Sequence, residues 1–301
     1  MANETYKRQV ALLLDVLPEV AKETCFALHG GTAINLFIRD MPRLSVDIDL
    51  TYLPIEDRET SLNNISDALE KIKVTTLTIL PQASITLRSD TSKLLIAHQG
   101  VQVKLEVNQT NRGALHTPEE LTLCDKAQEE FDAFCAIQVI EEGQLYGGKI
   151  CAALDRQHPR DLFDVKYFLE NSKFSEQHKE GLLLALLSSN RPIEELLYPH
   201  FLDQRVAFSN QFSGMTNESF NYKDFEAARN NLLETIHQSL TAEDKRFLIS
   251  VQSLEPDSGV YDFVRFPSVQ WKLQNLQRLK ESNSEKYQKQ LDGLREKFSA
   301  F

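Results

Sequence analysis

At 301 residues, with 26% charged and 42% hydrophobic side chains, the chain has the make-up of a globular protein large enough for one sizeable domain or two ordinary ones. No apolar run approaches the ~20 residues that span a bilayer, and the opening MANETYKRQV lacks a signal-peptide core, so membrane and secretory classes are set aside and a cytoplasmic location is expected. A net charge of −11 argues against a broadly basic nucleic-acid surface, leaving a local patch or a basic protein partner as the routes to such ligands.

Residues 5–22 carry apolar side chains at helical spacing and predict an N-terminal helix with Pro18 near its end. Residues 26–28 read as a strand, Gly30-Gly31-Thr32 as a turn, and the apolar residues Ile34, Leu36, Phe37 and Ile38 as a short buried helix. After Pro42 comes a strand carrying Asp47-Ile48-Asp49. Alternate side chains of a strand share a face, so Asp47 and Asp49 project together, about 7 Å apart at Cα. Two like charges at that separation repel unless a cation lies between them. Mg²⁺ usually takes one or two protein carboxylates and completes its octahedron with phosphate oxygens and water. Gly30 and Gly31, having no Cβ, let the backbone approach a ligand, where the Thr32 hydroxyl and nearby N–H groups meet phosphate oxygens. Taken singly, Gly-Gly is a turn and Asp-x-Asp on a strand edge is solvated. Together, an anion cradle and a carboxylate pair are what transfer of a nucleotide from a triphosphate requires.

The string GGTAINLF…RLSVDIDL resembles the MenT-like nucleotidyltransferases of the AbiEii/AbiGii toxin family, within the DNA polymerase beta superfamily. Further along, residues 59–72 predict an amphipathic helix, and 74–80, 83–88 and 93–99 read as consecutive antiparallel strands. Residues 101–108 alternate strictly, with Val101, Val103, Leu105 and Val107 on one face and Gln102, Lys104, Glu106 and Asn108 on the other. By pattern alone the second face is solvated. The segment KLEVNQTNRG resembles the family strand that carries a third carboxylate. The resemblance assigns Glu106 to bridging the metal or accepting the incoming hydroxyl's proton, with Asn108 and Arg112 as candidate substrate contacts.

Residues 113–142 read as a connection and one further strand, with 134–140 expected to be buried. Lys149, Ala153, Arg156 and Arg160 then fall three to four residues apart, interrupted by Pro159. Alone this is a solvated helix face. The string KICAAL…RDLFD closely resembles the family's second conserved block, which implies that Lys149 holds the triphosphate and Asp161 completes the active site. Asp161 equally suits a helix N-terminus, as a cap or against the dipole, and Arg160 with Asp164 reads as an ion pair outside the site.

Past residue 170 the chain turns helical. Glu176–Ser188 is amphipathic, 199–221 reads as loop, 223–239 is entered through Asn221, and Ala242–Gln252 is capped by Thr241. A helix opening at Phe266-Pro267 aligns Val269, Leu273, Leu276 and Leu279, with Trp271 expected to pack, and 282–301 extends as a further helix. Four scattered cysteines without a C-x-x-C pair read as free thiols, and the absence of H-x-x-x-H, Walker and G-x-S-x-G patterns removes zinc-hydrolase, P-loop and serine-hydrolase readings.

The expected fold is mixed α/β (α+β). A nucleotidyltransferase-fold core with a mixed sheet occupies residues 1–143, and a mainly helical domain, 144–301, completes an NTP cleft. The resemblance implies a Mg²⁺-dependent nucleotidyltransferase with Asp47, Asp49, Glu106 and Asp161 as catalytic residues and Gly30, Gly31, Thr32 and Lys149 on the NTP. By family analogy it moves NMP from an NTP to the tRNA 3′ end, as the toxin of a toxin–antitoxin or phage-defence system with a cognate antitoxin protein and no membrane partner. A protein or small-molecule acceptor, which the acidic charge favours over RNA, stands beside it. A non-catalytic NTP-binding module and a structural partner of an antitoxin are the remaining alternatives.

Overall fold

The computed structural model describes residues 2–299. They divide into two compact units, one formed by the chain up to Leu145 together with Ser209–Ser219, the other by Tyr146–Phe208 and the chain from Phe220 onward. In the first unit, α1 (Ala2–Ala21) leads through β1 (Phe26–His29) into the single turn α2 (Gly30–Ala33), a π-helical turn at Ile34–Ile38, and β2 (Asp47–Tyr52). There follow α3 (Arg58–Ile79), β3 (Ser84–Arg88), β4 (Lys93–His98), β5 (Val101–Val107), β6 (Glu119–Thr122), α4 (Asp125–Phe131) and β7 (Ala136–Val139). The boundary between the units falls within α5 (Glu142–Arg156).

The strands make one seven-stranded sheet in the order β3-β4-β5-β2-β1-β7-β6. β2 runs parallel to β5 and β1 parallel to β7, while the other pairs are antiparallel, which gives the expected mixed sheet. The alternation read in 101–108 decides its two faces. Val101, Val103, Leu105 and Val107 are buried, and α1 packs on β5 and β7 while α3 packs on β3 and β4. At about 1.5–3 kcal/mol for each fully buried aliphatic side chain, that apolar face fixes the register. Gln102, Lys104 and Glu106 necessarily point the other way.

Three local expectations give way to tertiary structure. Of residues 74–80, rich in β-branched side chains, 74–79 continue α3 instead of forming a strand, and Leu80 ends it as the C-cap. Ile72 and Thr76 extend its buried face, and the Thr75 and Thr78 hydroxyls donate back to the carbonyls of Ile72 (3.2 Å) and Val74 (3.1 Å). Phe134, expected to be buried, is 67% exposed because β7 starts at Ala136 and turns Ile137 and Val139 inward. Residues 113–142 hold two strands and a helix where one strand was expected.

The second unit is helical: α6 (Pro159–Asn171), α7 (Glu176–Ser188), α8 (Ile193–Leu197), α9 (Arg205–Gln211, running into the first unit's Ser209–Ser219), α10 (Tyr222–Ser239), α11 (Ala242–Gln252), α12 (Pro267–Ser282) and α13 (Ser284–Ser299). The stretch read as loop thus contains α9. Asn221 and Thr241 cap α10 and α11 through reciprocal bonds with Asp224 and Asp244, the arrangement their sequences announce. α13 buries Tyr287, Leu291, Leu294 and Phe298 along one face. Trp271 faces outward at 42% exposure, with the Arg278 guanidinium 5.4 Å from its ring centroid, and Val269 and Leu276 take the inner face of α12. Among the described residues no helix is long and apolar enough to cross a membrane.

Candidate active site

Register builds the site in the first unit. Asp47 pairs with Lys104 and Asp49 with Glu106 across β2 and β5, Glu106 pairs with Lys93 of β4, and Asp49 pairs with His29 of β1. Directly paired residues share a face. Two rows therefore cross the sheet: His29, Asp49, Glu106 and Lys93 in one, Asp47, Lys104 and Leu95 in the next. Asp47 and Asp49 are half-buried, while Ile48 and Leu50 between and beyond them are fully buried. The face opposite α1 thus carries three carboxylates on two parallel strands.

The glycine turn makes room for protein groups as well as for any ligand. Gly30 adopts φ +73°, and a Cβ there would stand 2.5 Å from Oδ2 of Asp49. A Cβ on Gly31 would stand 2.8 Å from Nη2 of Arg43 and 3.0 Å from Oγ of Ser45. One glycine admits the Asp49 carboxylate and the other a buried guanidinium. Thr32, expected to meet a phosphate, is 0% exposed instead. Its hydroxyl lies 3.0 Å from Oγ of Ser45 and within bonding reach of the Asp47 carbonyl. With one proton it donates to the carbonyl and accepts from Ser45, so it struts the start of β2. Asn35 ties the same turn down by donating to the Gly31 carbonyl at 2.9 Å.

Glu106 is held by two lysines. Lys104 Nζ lies 2.8 Å from Oε2 and Lys93 Nζ 3.0 Å from Oε1. Burial works to raise the Glu106 carboxyl, but the hydrogen bonds and charges of Lys104 and Lys93 prevail and hold it below its ordinary value. Burial likewise opposes charge on Lys104, yet Glu106, Asp47 and Asp49 raise its affinity for the proton. Asp47 and Asp49 suit a divalent cation as donors: two half-buried carboxylates on one strand face, with Gly30 clearing space at Asp49. Among the described residues no group of three or more His, Cys, Asp and Glu side chains is gathered to hold a metal by itself. A two-carboxylate site completed by substrate oxygens matches Mg²⁺ chemistry.

The residues of the KICAAL…RDLFD string form their own cluster in the second unit. Lys149, on α5, is 8% exposed, and its ammonium lies 3.0 Å from Oδ1 of Asp161 and 3.1 Å from Oδ2 of Asp164. Arg156, about two turns along the same face of α5, donates from Nε to Oδ2 of Asp161 at 2.6 Å and from Nη2 to Oδ1 at 3.1 Å. Pro159 starts α6, His158 Nδ1 accepts from the Arg160 amide at 3.1 Å, and Asp161 sits in the first turn. Asp161 is 1% exposed. Burial pushes its carboxyl up, but the charge of Lys149 and the fork of Arg156 hold it well below the usual carboxylate range. Asp161 is thereby a residue that positions Lys149, and Asp164, left out of the site on sequence grounds, shares that task.

Gly30, Gly31, Thr32, Asp47, Asp49 and Glu106 therefore gather in the first unit, Lys149 and Asp161 in the second. Lys104, Lys93, Arg43 and Ser45 were not read from the sequence. Lys104 was legible in principle, since it shares the parity of Glu106, whereas Arg43 and Ser45 lie before β2, where parity assigns no face. Lys93 enters only through the β4–β5 register.

The family model described as Nucleotidyl transferase AbiEii toxin, Type IV TA system, matches residues 11–275. No curated protein sequence matches the chain. Among solved structures, the chain is similar to MenT4, a nucleotidyltransferase toxin from Mycobacterium tuberculosis H37Rv, at 15% identity and a TM-score of 0.59, over 88% of this chain and 92% of that one.

Proposed function

The chain belongs to the AbiEii nucleotidyltransferase toxin family and is an NTP-using nucleotidyltransferase of a toxin system; from that premise we propose that it transfers NMP, with Mg²⁺, to the 3′ end of tRNA. The observation that carries the chemistry is the Asp47–Asp49 pair on one face of β2, with Gly30 leaving space at the Asp49 carboxylate. Asp47 and Asp49 would hold the ion. Bound there, Mg²⁺ would offset charge on the α-phosphate and the departing pyrophosphate.

The remaining roles follow from the neighbours of each residue. Gly30 and Gly31 keep Asp49 and Arg43 against the turn, and Thr32 fixes the start of β2 through the Asp47 carbonyl. A general base works best with a pKa near the working pH. Glu106, lowered by its lysines, is suited to accept a hydrogen bond from the acceptor hydroxyl and orient it. Lys149, steered by Asp161 and Asp164, is assigned to the triphosphate. For the cell context we propose a cytoplasmic toxin restrained by a cognate antitoxin and acting in phage defence; membership of a toxin family supports this reading.

One observation favours a second acceptor class. A net charge of −11 disfavours broad contact with RNA phosphates and suits a protein side chain or a small molecule. The decisive experiment offers each of the four α-³²P-NTPs, with Mg²⁺, to total tRNA and to total protein, with the Asp47→Ala/Asp49→Ala variant alongside. Label on tRNA from one preferred nucleotide, absent with the variant, is the expected result. Label on protein alone moves the acceptor and keeps the mechanism, and undiminished transfer by the variant overturns the two-aspartate assignment.

A further inference from the structure

Resting on that reading of the acidic face, we propose that Lys104 is the resting counter-cation of Asp47, Asp49 and Glu106 and competes with a divalent metal for them. The argument is one of register. Lys104 stands directly opposite Asp47, and its strand neighbour on the same face, Glu106, stands opposite Asp49. The Lys104 ammonium lies 2.8 Å from Oε2 of Glu106, and the charges of Asp47 and Asp49 both stabilise it. Without a cation, three carboxylates on adjacent strands would repel one another at cross-strand distances of about 5 Å. Lys93 relieves only Glu106, from the strand on the far side of β5 from β2. Lys104 is the lysine that the pairing sets beside the aspartates.

An ion entering between Asp47 and Asp49 therefore meets a positive charge already in place. Free metal binds the nucleotide-free protein weakly, because Lys104 opposes it and two carboxylates give few donors. A metal–triphosphate complex brings further oxygen donors and negative charge that Lys104 attracts. The site is thus biased to admit the ion together with the NTP.

The test measures Mn²⁺ binding to the nucleotide-free full chain by electron paramagnetic resonance, independently of turnover. Lys104→Gln, which removes the charge, is expected to tighten Mn²⁺ about tenfold, about 1.4 kcal/mol. Lys104→Arg, which keeps the charge, is expected to bind like the unaltered protein, and Lys93→Gln to shift less than Lys104→Gln. Unchanged or weaker Mn²⁺ binding by Lys104→Gln, with binding lost in Asp47→Asn/Asp49→Asn, overturns the role of Lys104 and leaves the metal reading standing. Mn²⁺ binding that persists in the double asparagine variant overturns both.

Discussion

Two charged clusters, one in each compact unit, contain nearly the same groups and use them differently. On the sheet, Asp47, Asp49, Glu106, Lys93 and Lys104 are half-exposed and lie on a face fixed by the burial of its opposite side. Between α5 and α6, Lys149, Asp161 and Asp164 are almost fully removed from water, and Arg156 closes over Asp161. Water can replace a lost partner in the first cluster. In the second, a lost partner leaves a buried charge uncompensated. Half-exposed groups can exchange partners with a ligand at little cost in stability, whereas enclosed ones hold geometry. The comparison predicts that mutations in the two clusters separate activity from stability.

The largest effect is expected at Asp161. Asp161→Ala strips the buried Lys149 ammonium of one of its two carboxylates, leaving Asp164, and should lower the unfolding free energy by about 3 kcal/mol, read by urea denaturation. The acid limb carries a signature of the same contact. A carboxyl whose folded pKa lies below its unfolded value of 3.8 contributes stability that is complete above that value and declines as pH falls beneath it. The variant should therefore lose less stability than the parent on acidification below pH 3.8. Equal acid limbs would mean that Asp161 is not held as the geometry indicates.

Asp47→Ala and Asp49→Ala invert that pattern. Transfer is expected to fall at least a hundredfold, about 2.7 kcal/mol in the barrier, while stability stays within about 0.5 kcal/mol. A variant that loses both together would place these aspartates with the enclosed cluster and remove the distinction.

Much of this is legible in the sequence because both signals are periodic. Strict alternation in 101–107 and in Asp47-Ile48-Asp49 assigns faces by parity, and the burial found in β2 and β5 follows it. Helix ends at Asn221 and Thr241 were legible because their capping partners lie three residues on. Residues 74–79 were misread because β-branched side chains lower helix propensity only slightly, and burial of Ile72 and Thr76 outweighs it. Pairing between strands was out of reach, since Lys93 meets Glu106 only through a register that neither segment encodes alone. The enclosure of Thr32 was equally hidden, because its partners Ser45 and the Asp47 carbonyl arrive from a different element.

Gly30 probes the boundary between the two behaviours, since its effect should fall on both observables. Alanine there must adopt φ +73° and bring its Cβ within 2.5 Å of the Asp49 carboxylate. The strain costs about 2 kcal/mol, and the displaced carboxylate should lower transfer about tenfold. Far-UV circular dichroism with a denaturation curve separates the two losses. Wild-type transfer by Gly30→Ala would show that the position of Asp49 is not critical.

The smallest predicted effect concerns an enclosed cation held by backbone carbonyls. Lys272 of α12 donates to the carbonyls of Ser189 and Arg191, each at 2.7 Å, beyond the end of α7. Burial lowers its pKa from 10.5 to about 8, with Cys151 opposing the shift. From pH 8 upward the folded amine releases its proton while the unfolded one keeps it, so stability rises with pH until the unfolded group also titrates near 10.5. Burial raises the thiols of Cys25 and Cys135 from 9.0 to about 11 and that of Cys151 to about 12, and raises Cys124 as well, so all four pull the opposite way as pH approaches and passes 9. Between pH 8 and 9 Lys272 should add about 1 kcal/mol, a contribution that comparison with a variant lacking the amine isolates from the thiols. Lys272→Met removes the titrating group and should flatten that slope relative to the parent, whatever its own stability. Parallel slopes in the two proteins would show that the amine is solvated.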